Sequence, residues 1–251
     1  HPTPPPPHNP TTPSSAASDV YKRQVQKLVD AGGTGCNITM PLKQRAFELA
    51  NRASVRAELS HSANTMIFNT STRWSVDSTD GPGLIRDLEQ NLSIDLKGQR
   101  ICVVGAGGAA AGILYDLLTR EPASLTLFNR TVERATELAE RFSSIGKVEA
   151  ADLEHIGGST PFDLVINATS AGHFRRAPVL NAALFGPGTT CYDLSYGKAH
   201  ESLAEWCSQE GFRCHDGLGM LVEQAAESFY LWTGFRPDTG PVLANLRDNT
   251  N

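Results

Sequence analysis

Two patterns of apolar and polar positions divide the chain, and the change between them falls near residue 99. In the first part, Thr65–Asn69 and Trp74–Val76 are short runs of strand-forming residues around a turn rich in Ser and Thr, which predicts two short strands. Pro41 is placed to begin a helix that continues to about Asn51, and the apolar spacing in Asp80–Asn91 predicts another helix. The other predicted elements here are a helix end at Val25–Ala31 and a short strand at Gly35–Thr39.

After residue 99 the pattern changes to apolar strands that alternate with helices. Arg100–Val104 is a continuous apolar run that ends at Gly105, which is typical of a buried parallel strand. Alternating strands and helices predict right-handed βαβ units and a mostly parallel α/β sheet. Further strands are predicted at Ser124–Phe128, Phe162–Asn167, Thr190–Leu194 and Phe212–His215, with helices to about Thr119 and at Val132–Phe142, Leu203–Glu210, Gly219–Thr233 and Pro241–Arg247.

The first 24 residues differ from the rest of the chain. Seven of the 15 prolines fall in His1–Pro13, and the only charged residue before Val20 is Asp19. A segment of this kind cannot bury enough apolar surface to offset its ordering entropy. We therefore expect residues 1–24 to be a disordered or non-native leader outside the fold; they carry no signal-peptide pattern.

Composition excludes several classes of function. The 251 residues carry 22 Lys and Arg against 27 Asp and Glu, so the net charge of -5 does not supply the positive field of a nucleic-acid binder. No apolar run approaches the ~20 residues of a membrane helix. Five cysteines without C-x-x-C spacing, and histidines without ligand spacing, predict a cytoplasmic protein with neither a disulfide framework nor a metal site.

A glycine-rich turn follows the first strand of the second part. The run G-A-G-G-A-A at 105–110 matches G-x-G-x-x-A, with a strand before it and a helix after it. The first glycine permits the tight turn and the next lets backbone N–H groups approach a pyrophosphate at the helix N-terminus. The motif therefore predicts a dinucleotide site, with an ordinary tight turn as the alternative; the predicted contacts are Gly105, Ala106, Gly107, Gly108 and Ala109.

The end of the following strand indicates which dinucleotide is bound. An NAD site usually has an acidic residue here, but this strand ends in Asn129, Arg130 and Thr131, with Arg134 one turn further on. Guanidiniums bind phosphate oxygens in a fork, so these residues favour the 2′-phosphate of NADP. The alternative is that Thr131 only caps a helix and that the two arginines are solvated.

Three polar residues of the first part are candidates for chemistry. Lys43 lies in the first turn of a predicted helix, Asn64 opens a strand, and Asp80 begins the next helix. A Lys in that position can act as a proton donor if its pKa or its orientation is controlled by neighbours. Taken one by one, the same residues could be a surface lysine and an N-cap aspartate.

Seven short motifs occur in a fixed order from about Val25 to the C-terminus. They are N-I-T-M-P-L-K (37–43), A-N-T (63–65), T-D-G (79–81), G-A-G-G-A (105–109), N-R-T (129–131), N-A-T-S (167–170) and D-G-L-G-M-L-V-E-Q-A (216–225). This series resembles the shikimate dehydrogenase family. Because several independent motifs agree in spacing, the resemblance is far more specific than any one of them.

The resemblance implies a fold and an activity. Family members reduce 3-dehydroshikimate to shikimate reversibly with NADPH, in the route to chorismate and aromatic amino acids, with a Rossmann-type domain and a smaller α/β domain enclosing a cleft. It implies a substrate domain at residues 25–98, an NADP-binding domain at 99–215, and C-terminal helices at 216–251 that return to the substrate domain. The expected partners are the small-molecule substrate and a second copy in a homodimer, with no nucleic acid and no membrane.

The resemblance also implies roles for individual residues. Lys43 and Asp80 correspond to the catalytic pair, and Leu194 and Gly217 fall on the nicotinamide side. Asn129, Arg130, Thr131 and Arg134 match the adenosine-phosphate site. The residues expected to hold substrate, together with Asp80, are Thr39, Asn64, Tyr196 and Gln224.

Departures from the family pattern qualify these expectations. Family chains begin with a strand, a helix and a Ser-x-Ser segment, whereas only about a dozen well-patterned residues precede Asn37 here. We therefore expect an incomplete substrate domain and weakened activity. Ser78 stands where Asn is commoner, and Glu201-Ser202 replaces a frequent Thr-Pro.

Other functions remain open at the level of sequence. A quinate or quinate/shikimate dehydrogenase is an alternative, although Arg130 argues against an NAD enzyme. A non-catalytic NADP-binding module would not need Lys43 and Asp80. A methylene-tetrahydrofolate dehydrogenase shares the two-domain architecture but would not require the A-N-T and T-D-G motifs.

Overall fold

The computed structural model describes residues 15–156, 161–169 and 180–249 and contains two sheets. The first is a four-stranded mixed sheet of order β1-β3-β4-β2, in which β3 pairs antiparallel with β1 and β4, and β2 pairs parallel with β4. Met66, Trp74 and Val76 form its buried core. Its elements are α1 Ser15–Asp30, β1 Gly35–Asn37, α2 Lys43–Leu49, β2 Arg52–Ala53, α3 Val55–Ser60, β3 Thr65–Phe68 and β4 Trp74–Asp77.

Residues 15–24, which we expected to lie outside the fold, form the first part of α1. The later turns of α1 place Val25 and Val29 at helical spacing against the core of the first sheet. Packing of that apolar stripe supports a helix that the neighbouring proline-rich composition obscures. Residues 1–14 lie outside the described part of the chain.

The second sheet has six strands, all parallel, in the order β10-β9-β8-β5-β6-β7. The predicted α/β class is thereby confirmed. The strand order reverses at β5, and ligands of such sheets bind in the crevice beyond the carboxyl ends of the strands at that point. Its elements are β5 Arg100–Val104, α5 Gly108–Leu118, β6 Ser124–Asn129, α6 Val132–Arg141, β7 Glu149–Asp152, β8 Leu164–Asn167, β9 Thr190–Asp193, α7 Glu201–Glu210 and β10 Arg213–His215.

Two helices connect the sheets. The helix α4 (Asp80–Arg86) continues as a turn of π-helix at Asp87–Asn91, and its Leu84 and Leu88 are buried in the core beside the parallel sheet. The helix α8 (Leu218–Thr233) packs on α4 and reaches the first sheet, where Trp232 Nε1 donates to Met66 O at 3.0 Å. The last helix, α9, spans Gly240–Asp248. Within the described ranges, none of the helices combines the length and apolar character needed to cross a bilayer.

Candidate active site

An ion pair lies where α2 and α4 begin. Lys43 is the first residue of α2 and Asp80 the first of α4, and Lys43 Nζ is 2.5 Å from Asp80 Oδ2. The Lys43 side chain retains 25 % of its exposure and that of Asp80 12 %. The ammonium is therefore fixed by a carboxylate and is still accessible to a ligand.

The side-chain amide of Asn64 holds this pair in place. Asn64 Nδ2 lies 2.9 Å from Asp80 Oδ1, 2.9 Å from Thr79 Oγ1 and 3.0 Å from Gln224 Oε1, and Asn64 Oδ1 accepts from Thr79 N at 2.8 Å. An amide has only two N–H groups, so three acceptors exceed its capacity. The competing acceptors have second partners, since Thr79 Oγ1 is 3.1 Å from Ser228 Oγ and 3.4 Å from Gln224 Oε1, so the buried network is closed on itself.

A cluster of hydroxyl groups connects α8 to the same network by hydrogen bonds. Ser228 Oγ is 2.6 Å from Thr65 Oγ1 and 3.1 Å from Thr79 Oγ1, and it accepts from Asn37 Nδ2 at 2.9 Å. Ser228 is fully buried. Ser228 lies outside the motifs of the sequence, and its place one helical turn after Gln224 is the signal that could have indicated it.

Two of the predicted substrate residues are placed differently. Thr39 and Tyr196 are exposed, and within the described part of the chain neither side chain hydrogen-bonds to the network around Asn64. The structure thus brings together Lys43, Asp80 and Asn64 with Gln224, and leaves these two outside.

The glycine-rich turn has the backbone that its motif predicts. Gly105 has φ +108°, and a Cβ there would lie 2.9 Å from Ala168 O, so a side chain is excluded. At Gly107 and Gly108 a Cβ would meet nothing within 4 Å. The turn is therefore packed on β8 at its start and open in front of α5, as a cradle for a phosphate requires.

At the end of β6 one side chain supports the glycine-rich turn and the following ones face solvent. Asn129 supports the turn, since its Oδ1 accepts from Ala106 N at 3.2 Å and its Nδ2 donates to Thr131 O at 2.8 Å. Arg130, Thr131 and Arg134 are exposed. No ion pair within the described residues engages either guanidinium, so both are available to an anion.

Leu194 and Gly217 meet in front of the parallel sheet. A Cβ on Gly217 would lie 2.5 Å from Leu194 O, and Gly217 N donates to Ser195 O at 2.9 Å. Both residues thus lie at the carboxyl end of β9, where α8 begins. This is the edge of the sheet that carries the glycine-rich turn.

Close approach of α3, α4 and α5 joins the two halves of the site. A Cβ on Gly112 of α5 would be 3.2 Å from Asp80 Oδ2, so only a small residue permits this packing. Arg56 lies between two carboxylates, 3.1 Å from Asp77 Oδ1 and 3.2 Å from Asp116 Oδ1. Desolvation by burial raises the pKa of Asp116 to about 6, and Arg56 limits the rise.

Family models and a curated relative point to the same protein family. Family models described as the shikimate dehydrogenase substrate binding domain, shikimate/quinate 5-dehydrogenase and the shikimate 5'-dehydrogenase C-terminal domain match residues 11–66, 87–182 and 217–247. A shikimate dehydrogenase (NADP(+)) of Dechloromonas aromatica is 43% identical over 233 residues, covering 92% of this chain and 84% of that one.

Solved structures agree in fold. An Ael1 enzyme from Pseudomonas putida is 40% identical with a TM-score of 0.84, covering 91% of this chain and 83% of that one. The shikimate 5-dehydrogenase of Thermus thermophilus, solved with NADP(H) and shikimate, is 28% identical with a TM-score of 0.76, covering 94% and 85%.

Proposed function

From the premise that this chain belongs to the shikimate dehydrogenase family, we propose that it reduces 3-dehydroshikimate to shikimate with NADPH, and catalyses the reverse reaction. The observation that carries the proposal is the Lys43–Asp80 pair, 2.5 Å apart, held by Asn64 and packed against the helix that follows the dinucleotide turn. This arrangement supports the assignment of Lys43 as a proton donor beside the part of the protein proposed to hold the hydride donor.

Lys43 is the proposed proton donor. When bound, the nicotinamide supplies the hydride. Hydride addition leaves negative charge on the former carbonyl oxygen, and an ammonium within hydrogen-bond reach both stabilises that charge and delivers a proton. Asp80 keeps the Lys43 ammonium oriented through Oδ2 while Asn64 fixes its other oxygen.

We assign the cofactor contacts to the residues of the parallel sheet. The open backbone at Gly107 and Gly108, with Ala106 and Ala109 beside them, suits a pyrophosphate, and Gly105 shapes the turn. The exposed Arg130 and Arg134 suit a 2′-phosphate, with Asn129 and Thr131 next to them, which favours NADP over NAD. Leu194 and Gly217 are proposed for the nicotinamide side because they lie at the same edge of the sheet.

We assign the substrate hydroxyls to the polar network between the sheets. Asn64 and Gln224 already share a hydrogen bond, and the role proposed for them is to exchange part of this network for hydrogen bonds to the substrate hydroxyls. Thr39 and Tyr196 are exposed, so a role for them requires that the ligand reach from the network to their positions. The division into a substrate domain, an NADP-binding domain and returning C-terminal helices, the homodimer and the cytoplasmic location stay predictions.

The test is an assay of NADPH oxidation by the purified chain with 3-dehydroshikimate, followed at neutral pH, with NADH and with quinate plus NADP as further arms. We expect turnover that depends on both NADPH and 3-dehydroshikimate and a much smaller rate with NADH. Cofactor binding without any turnover would point to a non-catalytic NADP-binding module. A preference for quinate would assign the alternative substrate.

A further inference from the structure

Three cysteines converge away from the cleft, on the other face of the parallel sheet. Cys191 lies on β9 and Cys214 on β10, and the parallel register makes them direct neighbours. Cys207 lies on α7, which packs on β10. Their Sγ atoms all lie within 4.8 Å of one another.

This spacing matches what a metal ion needs. Zinc–thiolate bonds are about 2.3 Å long, so three sulfurs around one ion in a plane stand about 4.0 Å apart. The sulfurs here would have to move inward by less than an ångström. Thiolates select soft cations, whereas Mg²⁺ and Ca²⁺ take oxygen ligands.

The surroundings favour a bound ion over hydrated ions in solution. Cys191 and Cys207 are buried, and the shell includes Phe185, Leu203 and Trp206. An apolar shell limits the access of competing water to the sulfurs. Cys214 is half-buried, so the cluster lies nearer to solvent at this residue than at the other two.

Cysteine binds metals as the thiolate. A cation held by all three sulfurs would therefore replace three thiol protons, which pass to solvent.

We propose that Cys191, Cys207 and Cys214 form a site for one soft d¹⁰ cation of the zinc and cadmium class. Bound there, the ion would tie the edge strand β10 to β9 and to α7, and so stabilise the cofactor half of the molecule rather than take part in the reaction. The prediction that the chain has no metal site rested on spacing along the sequence, which does not report this cluster.

The experiment is a titration of the full-length chain with Cd²⁺ after treatment with chelator and a non-thiol reductant. We expect one equivalent to produce the ultraviolet sulfur-to-cadmium absorption and to raise the Tm. Cys207→Ser and Cys214→Ser should weaken Cd²⁺ binding by more than the roughly 10–100-fold that loss of an outer-shell partner costs. The matched controls are Cys36→Ser, in the first sheet, and Cys102→Ser, buried in the same sheet as the cluster; both should bind Cd²⁺ as the wild type does.

Several outcomes would overturn the proposal. The proposal fails if Cd²⁺ produces no sulfur-to-cadmium absorption in the reduced wild type. It also fails if Cys36→Ser loses as much Cd²⁺ affinity as Cys207→Ser and Cys214→Ser. X-ray absorption on the wild type gives a readout that needs no variant: three Cd–S bonds are expected, and two or fewer contradict the site. A disulfide among the three cysteines that forms in air and survives in the purified chain would assign them to a redox pair instead.

Discussion

The two halves of the proposed active site are built in opposite ways. Around Lys43 and Asp80 the side chains are bound to one another, and the side chain of Asn64 hydrogen-bonds to four residues, Thr65, Thr79, Asp80 and Gln224. Around the glycine-rich turn the backbone is open at Gly107, and the arginine at 130 faces solvent. The first half is organised before any ligand arrives, whereas the second offers groups that only a ligand would engage.

Because of this difference, the first half is expected to determine the rate of the reaction and the second the affinity for the cofactor. In a preorganised network a side chain contributes to both the fold and the reaction, since its partners would be left unpaired without it. An exposed guanidinium contributes nothing to the fold until an anion binds. Substitutions in the two halves should therefore produce different combinations of changes in kcat, KM and stability.

The largest effect is expected at Lys43. Lys43→Ala removes the proposed proton donor, so kcat should fall by about 10²–10⁴-fold, the usual contribution of general acid catalysis. The Kd for NADPH, measured by fluorescence titration, should stay unchanged because Lys43 belongs to the first sheet's half of the molecule. Lys147→Ala is the control, since that side chain is 82% exposed. A kcat within a few-fold of the wild type would make Lys43 an ordinary lysine that happens to pair with Asp80.

The next effect is expected at Arg130 and should appear in KM. Arg130→Ala removes the charge-assisted bond proposed to the 2′-phosphate, worth about 1.5–3 kcal/mol, so the KM for NADPH should rise by about 10–150-fold with kcat preserved. The KM for NADH should not change, because NADH has no 2′-phosphate. Arg73→Ala, an exposed arginine of the first sheet's turn, is the matched control. A parallel rise in both KM values would mean that Arg130 supports the fold and not the phosphate.

A direct contrast between the halves comes from stability. Asn64→Ala leaves the backbone N–H of Thr79 and the acceptors on Asp80 and Gln224 unpaired in a buried place, which should lower the free energy of unfolding by about 1–3 kcal/mol. Arg130→Ala should change it by less than about 0.5 kcal/mol. Urea unfolding of the two variants measures both. Equal losses of unfolding free energy would remove the distinction between the closed half, which is the network around Lys43 and Asp80, and the open half, which is the glycine-rich turn with Arg130.

The sequence predicted the open half better than the closed one. Arg100–Val104 is a strand with the predicted bounds, and the turn and helix follow it without a gap, because the whole motif is local. The small elements of the first sheet were missed: Arg52–Ala53 and Val55–Ser60 are too short to show a period. Strand Glu149–Asp152 was also missed, since its residues are half-exposed and weakly apolar.

Contacts between distant segments could not be predicted from local pattern. Ser228 reaches Thr65 across a separation of 163 residues, and only the packing of α8 on α4 brings them together. Cys191 and Cys214 meet for a similar reason, because parallel pairing of β9 and β10 sets their register. Such pairs depend on topology, which a motif does not report.

The smallest effect on turnover is expected at Asp116, which touches the seam between the halves and neither ligand site. Its Oδ2 has no hydrogen-bond partner among the described residues, and a Cβ on Gly81 would lie 2.1 Å from it. Its folded pKa of about 6 lies above the ordinary value of 3.8, so the folded state favours the protonated form. The stability that this provides is complete below pH 3.8 and is lost as the pH rises to 6, by about 3 kcal/mol.

Asp116→Asn isolates the pH-dependent contribution of this carboxyl group to stability, because the amide has the same shape and cannot ionise. Other carboxyl groups titrate in the same range, so the quantity to compare is the difference in unfolding free energy between wild type and variant at pH 4 and at pH 6.5. We expect the unfolding free energy of the wild type to fall relative to that of Asp116→Asn between pH 4 and pH 6.5. The kcat of the variant at neutral pH should stay within a few-fold of the wild-type value. If the difference is constant with pH, Arg56 compensates the buried charge fully, and the seam between the two halves is electrostatically neutral.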